Sequence, residues 1–171
     1  MKENLRALYN NGQNGVSPSV SASGLLNAVA KGWITLEDTV DIIGSDSSLA
    51  VIKAAKIAEI STACNTVIVS GIDLELSAGV VHFNLSIEDQ SNIANLFRVV
   101  ELGGTEFPYQ ADGGVCRIYS AQEIAQIYIA AQTLITTQTT YHNALKAYVQ
   151  SPDDVEAIAA VQYGMTLPDP Y

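Results

Sequence analysis

Charge is scarce in this chain of 171 residues. Charged residues make up 15% of it, where about 25% is usual. Basic residues are the scarcer kind, eight Lys and Arg against 18 Asp and Glu, for a net charge of −10. Lys2, Arg6 and Lys31 face only Glu3 in the first 31 residues, so the remainder carries −12. An acidic body repels phosphate backbones and anionic headgroups, which argues against nucleic-acid and membrane-surface partners. Cysteine is nearly absent too, and Cys64 and Cys116 alone build no disulfide framework. Met1-Lys2-Glu3-Asn4 leads into no apolar stretch of the signal-peptide kind. The uncharged run from Ile124 to Asn143 is too rich in Thr and Gln to cross a bilayer. These absences predict a protein made in the cytosol that stays in solution. Little charge beside 48% hydrophobic residues also predicts surface that other subunits cover.

What is present is a series of helix signals. Residues 3–9 carry Leu5, Leu8 and Tyr9, enough for a short helical turn. Asn10 to Gly24 is a Gly/Asn/Ser tract with one Pro, which reads as a linker and makes 1–24 a flexible arm. A short helical hairpin follows over 25–45, with Gly32 ending its first helix and Trp33 and Ile34 packing the corner. Thr35-Leu36-Glu37-Asp38 is a capping box for its second helix, and Gly44 stops it. Leu49 to Val69 reads as a long helix with Ile52, Ile57, Ile60 and Cys64 on one stripe. Residues 72–76 and 80–85 alternate about a Ser77-Ala78-Gly79 turn, a β-hairpin. Ser86-Ile87-Glu88-Asp89 caps a helix ended by Gly103-Gly104, and 106–110 with 115–119 make a second hairpin. Ser120-Ala121-Gln122-Glu123 then opens a helix free of Gly and Pro to Gln150, about 45 Å long. Thr136-Thr137-Gln138-Thr139-Thr140 is its weak point, where it is expected to bend or break. Ser151-Pro152-Asp153-Asp154 reads as a fourth capping box with Pro at the first helical position. The expected fold class is α+β, mostly helical. Its parts are the arm 1–24, the helical hairpin 25–45, and a domain 46–171 that combines helices, one of them long (about 120–150), with two small β-hairpins.

A search for chemistry finds no catalytic, cofactor or metal residues. His82, His142, Cys64 and Cys116 are the candidate ligands, and no two lie closer than 18 positions. Both thiols are expected to be buried, Cys64 on its helix stripe and Cys116 on a hairpin face with Ile118. His82 points to the opposite hairpin face from Val81 and Phe83, as a solvated or hydrogen-bonded side chain. Glu37/Asp38, Glu88/Asp89 and Asp153/Asp154 each fall in a first helical turn, where the helix dipole favours negative charge. Arg117 is expected to reach a carboxylate, with Asp112 and the Tyr119 ring beside it. A small hydrolase would need a polar cleft around His82 or His142. The reading is therefore not an enzyme.

Two segments resemble known families. Leu26-Asn27-Ala28-Val29-Ala30-Lys31-Gly32-Trp33-Ile34-Thr35-Leu36-Glu37, with Ile43-Gly44, is similar to the XkdX family of very short phage proteins. Phe83-Asn84-Leu85, Glu88-Asp89-Gln90-Ser91-Asn92-Ile93, Pro108-Tyr109, Cys116-Arg117-Ile118-Tyr119 and Thr140-Tyr141-His142-Asn143 resemble, in this order, a domain of unknown function from phage tail genes. That likeness spans 53–168. Together the resemblances imply a non-enzymatic structural component of a phage tail tip, baseplate or tail fibre, or of a tail-like particle, located in the virion tail. The alternative is a tail-fibre assembly chaperone that leaves before the particle is mature. The implied partners are other tail proteins and further copies of the chain, with a trimer favoured. The interaction residues expected are Trp33, Gln126, Thr133 and Thr137. The last three lie in the charge-free interval between Glu123 and Lys146.

Overall fold

The computed structural model describes residues 1–44 and 48–171, and the boundary expected between residues 45 and 46 lies outside them. Among these are α1 (Lys2–Gln13), α2 (Ala22–Ala30), α3 (Leu36–Ile43), α4 (Ser48–Val69), β1 (Ile72–Leu76) and β2 (Gly79–Phe83). Then follow α5 (Ile87–Glu101), β3 (Glu106–Gln110), β4 (Cys116–Ser120), α6 (Ala121–Gln150) and α7 (Val155–Ala160). The fold is α+β and mostly helical, with two antiparallel two-stranded sheets, β1–β2 and β3–β4, among the described residues. Contacts divide the chain into two units, Met1–Ala63 with His142–Tyr171, and Cys64–Tyr141.

In the first unit, Tyr9, Leu25, Ala28, Ile34 and Ile42 form a buried cluster, with Leu5 and Val20 packed on it. This corrects the flexible arm expected over 1–24. Helix α1 runs through the Asn/Gly stretch to Gln13, and the tract beyond it is tied back by Val20 N–H donating to the Leu8 carbonyl at 3.1 Å. Lys2 pairs with Asp38 and Asp41 of α3, each at 2.8 Å, and Arg6 also pairs with Asp41. Composition suggested a linker because two apolar anchors and long-range ion pairs leave no local period. Trp33 differs as well: it is 54% exposed, with the Lys31 ammonium 4.8 Å from its ring centroid, and Ile34 alone fills the corner. The capping box of α3 forms as read, Asp38 N–H donating to Thr35 Oγ1 at 3.0 Å and Thr35 N–H to Asp38 Oδ2 at 3.1 Å. Helix α7 starts later than expected. Its N-cap is Asp154, which accepts from Ala157 N–H at 2.9 Å, so Ser151 and Pro152 precede the helix.

In the second unit the core holds Leu76, Phe83, Leu85, Ile93, Phe107, Tyr119, Ile124, Ile127 and Ala131. Gly71 lets the chain turn from α4 into β1 at φ +85°, and a Cβ there would lie 2.0 Å from the Phe83 carbonyl oxygen. No side chain fits that approach. Strand β1 pairs with β2 so that Asp73 stands opposite His82, and β3 pairs with β4 so that Phe107 stands opposite Tyr119. Tyr119 is the inward residue of β4, which turns Cys116 and Ile118 outward; Cys116 is exposed, contrary to the buried thiol expected. Cys64 is buried as read and its thiol lies 3.6 Å from the Gln138 carbonyl oxygen. Helix α6 is unbroken through Thr136–Thr140.

Candidate functional site

Two features of the second unit stand out, a cleft and a helix face. The cleft is built from what surrounds β2 and β3. Phe83 and Asn84 come from the end of β2, Asp89 and Asn92 from the first turns of α5, and Pro108, Tyr109 and Gln110 from β3. Asp112, Gly113 and Cys116 close the far side, and the cavity holds about 420 Å³. Its members are fixed by local chemistry. The α5 capping box holds Asp89, whose Oδ2 accepts from Ser86 N–H at 3.2 Å and from Ser86 Oγ–H at 2.7 Å. Gln110 Nε2 donates to the Gly114 carbonyl at 2.9 Å, across the loop between β3 and β4. The Tyr109 ring stacks on Phe83 at 6.3 Å between centroids, and Tyr119 stands edge-on to both rings. Burial, then the charge of Asp89 and the neighbouring Tyr119, push the Tyr109 phenol up to about 12, so it keeps its proton at neutral pH.

His82 lies beside this cleft and orients one of its residues. Nδ1 is 2.8 Å from Asp73 Oδ1, and Nε2 is 3.2 Å from Asn84 Oδ1. Two oxygen acceptors suit the doubly protonated ring, and the hydrogen bond to Asp73 raises the His82 pKa above its ordinary value. The Asn84 amide is thereby left with its NH₂ group as donor. His142 is in the first unit, with Nε2 2.8 Å from Ser61 Oγ. Ser61 donates its proton to the Ile57 carbonyl at 2.7 Å, so the ring N–H gives and the hydroxyl receives. Burial, followed by the Lys146 charge, lowers the His142 pKa. That polarity is the reverse of a base drawing a proton from a nucleophile. Arg117 stacks over the Tyr119 ring, 4.1 Å from its centroid, and its carboxylate partner is Glu123 at 3.9 Å rather than Asp112. Glu123 also accepts from Ser77 at 2.6 Å and from Ser120 N–H at 2.9 Å, joining the β1–β2 turn to the start of α6.

The helix face is the outer side of α6. Gln122, Gln126, Ile129, Thr133, Thr136, Thr137 and Thr140 are all exposed, at spacings that keep them on one stripe. Three of the four expected interaction residues, Gln126, Thr133 and Thr137, are therefore brought together. Trp33, the fourth, belongs to the other unit. The stripe is about 27 Å long and carries no charged side chain. The cleft residues carry no site signature in the sequence. Amide side chains have no ligand spacing to betray them, although Asn84, Asp89, Asn92, Tyr109 and Cys116 all fall inside the blocks that resemble the phage tail domain.

A family described as "Domain of unknown function (DUF4376)" matches residues 51–163. The chain belongs to the DUF4376 family. The whole of the second unit, with the cleft and the α6 stripe, lies within the matched residues. No curated protein and no solved structure matches the DUF4376 chain.

Proposed function

We propose that this DUF4376 protein is a non-enzymatic structural part of a phage tail tip, baseplate or tail fibre, attached through protein–protein contacts. The observation that carries the reading is the charge-free stripe on α6. With a net charge of −10, copies of this chain repel one another over most of their surface. A face of Thr, Gln and one Ile escapes that repulsion, and its uncharged polar groups cost far less to desolvate than ionised ones. The occupant we assign to it is a second copy of the chain, with a trimer favoured. The tail assignment itself is supported by the two resemblances to phage families set out from the sequence.

Light scattering on the purified chain tests the reading. A mass at a multiple of 18.2 kDa is expected, and Thr133→Lys with Thr137→Lys should return it to the monomer. Both positions are exposed, so the substitutions place charge in the stripe without touching the core. A monomer at high concentration that also fails to co-purify with tail particles would remove the structural reading. An oligomer absent from intact particles by mass spectrometry would favour the assembly chaperone.

A further inference from the structure

We infer that the cleft between β2, β3 and α5 binds a neutral polyhydroxylated ligand, a saccharide unit, against Tyr109 and the amides of Asn84, Asn92 and Gln110. The cavity of about 420 Å³ is within the ~300–1,000 Å³ range of ligand sites. Among the described residues its lining has no Lys, Arg or His and includes Asp89 and Asp112, so phosphates and carboxylates are repelled. Beside those two carboxylates it offers the amides of Asn84, Asn92 and Gln110 and the Tyr109 phenol for hydrogen bonding. Asp89 has already committed one oxygen to the α5 cap, which leaves the other as an acceptor. Gln110 has its Oε1 uncommitted among the described residues, and Asn84, held by His82 through Oδ1, presents two N–H donors. Asn92 is exposed on α5, with the carbonyl oxygen and the NH₂ of its side-chain amide both available among the described residues. Donors and acceptors alternating at this density match vicinal hydroxyls, each of which gives one hydrogen bond and takes others.

The aromatic side of the cleft fits the same ligand. Tyr109 supplies a half-buried ring backed by Phe83, an apolar surface of the kind the C–H face of a sugar covers, and a phenol that remains a donor at neutral pH. Behind it, Tyr119 is fully buried and its hydroxyl has no hydrogen-bond partner among the described residues. The inference uses neither α6 nor self-association, so it stands or falls separately from the tail reading.

Cys116 makes the test direct. It lines the cleft and is exposed, whereas Cys64 is buried, so N-ethylmaleimide should label Cys116 in the intact chain. The labelling rate is measured with glucose, galactose, rhamnose and N-acetylglucosamine, each up to high millimolar concentration, and with spermidine as a cationic probe. At ten times its Kd, a ligand seated in the cleft slows labelling about tenfold. At least one saccharide is expected to do so, and Asn92→Ala with Gln110→Ala should abolish the protection while labelling of the free protein continues. The side-chain amide NMR signals of Asn84, Asn92 and Gln110 should move with the same saccharide. Protection by spermidine alone would make this a cation site and overturn the inference. So would labelling that none of the four saccharides slows.

Discussion

At the scale of single residues, the two histidines respond to pH in opposite directions. The Asp73 hydrogen bond raises His82, so the folded state holds that proton more tightly than the unfolded chain does. Its contribution is complete below the ordinary value of 6.5 and is lost as pH rises through the higher folded value. His142 is depressed by burial, so its contribution is complete above 6.5 and lost as pH falls through the lower folded value. Urea unfolding of the wild type and His82→Gln from pH ~5 to ~8 should therefore show the largest difference at the acid end. A difference that widens toward alkaline pH would show that His82 carries no bound proton in the fold. Trp33 makes a different point. A single tryptophan beside an apolar helix reads as a core anchor, and burial would make Trp33→Ala cost ~3–5 kcal/mol. With 54% of the residue exposed and one cation–π contact to Lys31, the expected loss is under ~1 kcal/mol. Thermal unfolding distinguishes the two values, and a loss in the larger range would return Trp33 to the core.

Elements were legible where a local chemical signature enforces them. Ser86 is the plainest case: Asp89 N–H donates to Ser86 Oγ at 3.1 Å while Asp89 returns the bond to Ser86 N–H. The same reciprocal pair, Ser120 with Glu123, opens α6. At the C-terminal end the signature was ambiguous, because Ser151 and Asp154 both have N-cap chemistry and only the backbone decides between them. Asp154 adopts the extended conformation of a cap and binds Ala157 N–H. Asp154→Ala should then cost about 1 kcal/mol and Ser151→Ala almost nothing, measured by chemical denaturation. The opposite ranking would restore the longer helix. The Thr-rich run of α6 stays helical, against its composition, for a related reason. Helix propensity penalises four β-branched residues in five by only a few tenths of a kcal/mol each, and Leu134 packing on the core outweighs that locally. The outward turn of Cys116 had no local signal at all. Alternation along β4 allows either face inward, and Tyr119, with the larger ring, takes the core.

At the scale of the whole molecule, the sequence suggested three consecutive parts, whereas the contacts form two units, one of which draws on both ends of the chain. Periodicity cannot reveal a unit completed by residues 142–171, because nothing local marks which distant segments share a core. The cleft has no local signature for the same reason: it is assembled from β2, α5, β3 and the loop after it, each unremarkable alone. The N-terminal residues carry the sharpest consequence. Their composition predicts a separable arm, yet Tyr9 is 8% exposed within the cluster of Leu25, Ala28, Ile34 and Ile42, and Val20 packs on it. Lys2 and Arg6 meanwhile neutralise Asp38 and Asp41 on α3, and these pairs hold both aspartates below the usual carboxylate range. Exposed ion pairs of this kind add little, so the buried ring dominates. Removing residues 1–24 should cost at least the ~3–5 kcal/mol of deleting a buried aromatic and leave Leu25 and Ile34 open to water. Hydrogen exchange across Leu25–Ile43 in the shortened chain should then be fast, with the α5 amides measured alongside for comparison. Full protection of α2 and α3 without residues 1–24 would show instead that the first 24 residues are the detachable arm their composition describes, and that Tyr9 only rests on a cluster able to close without it.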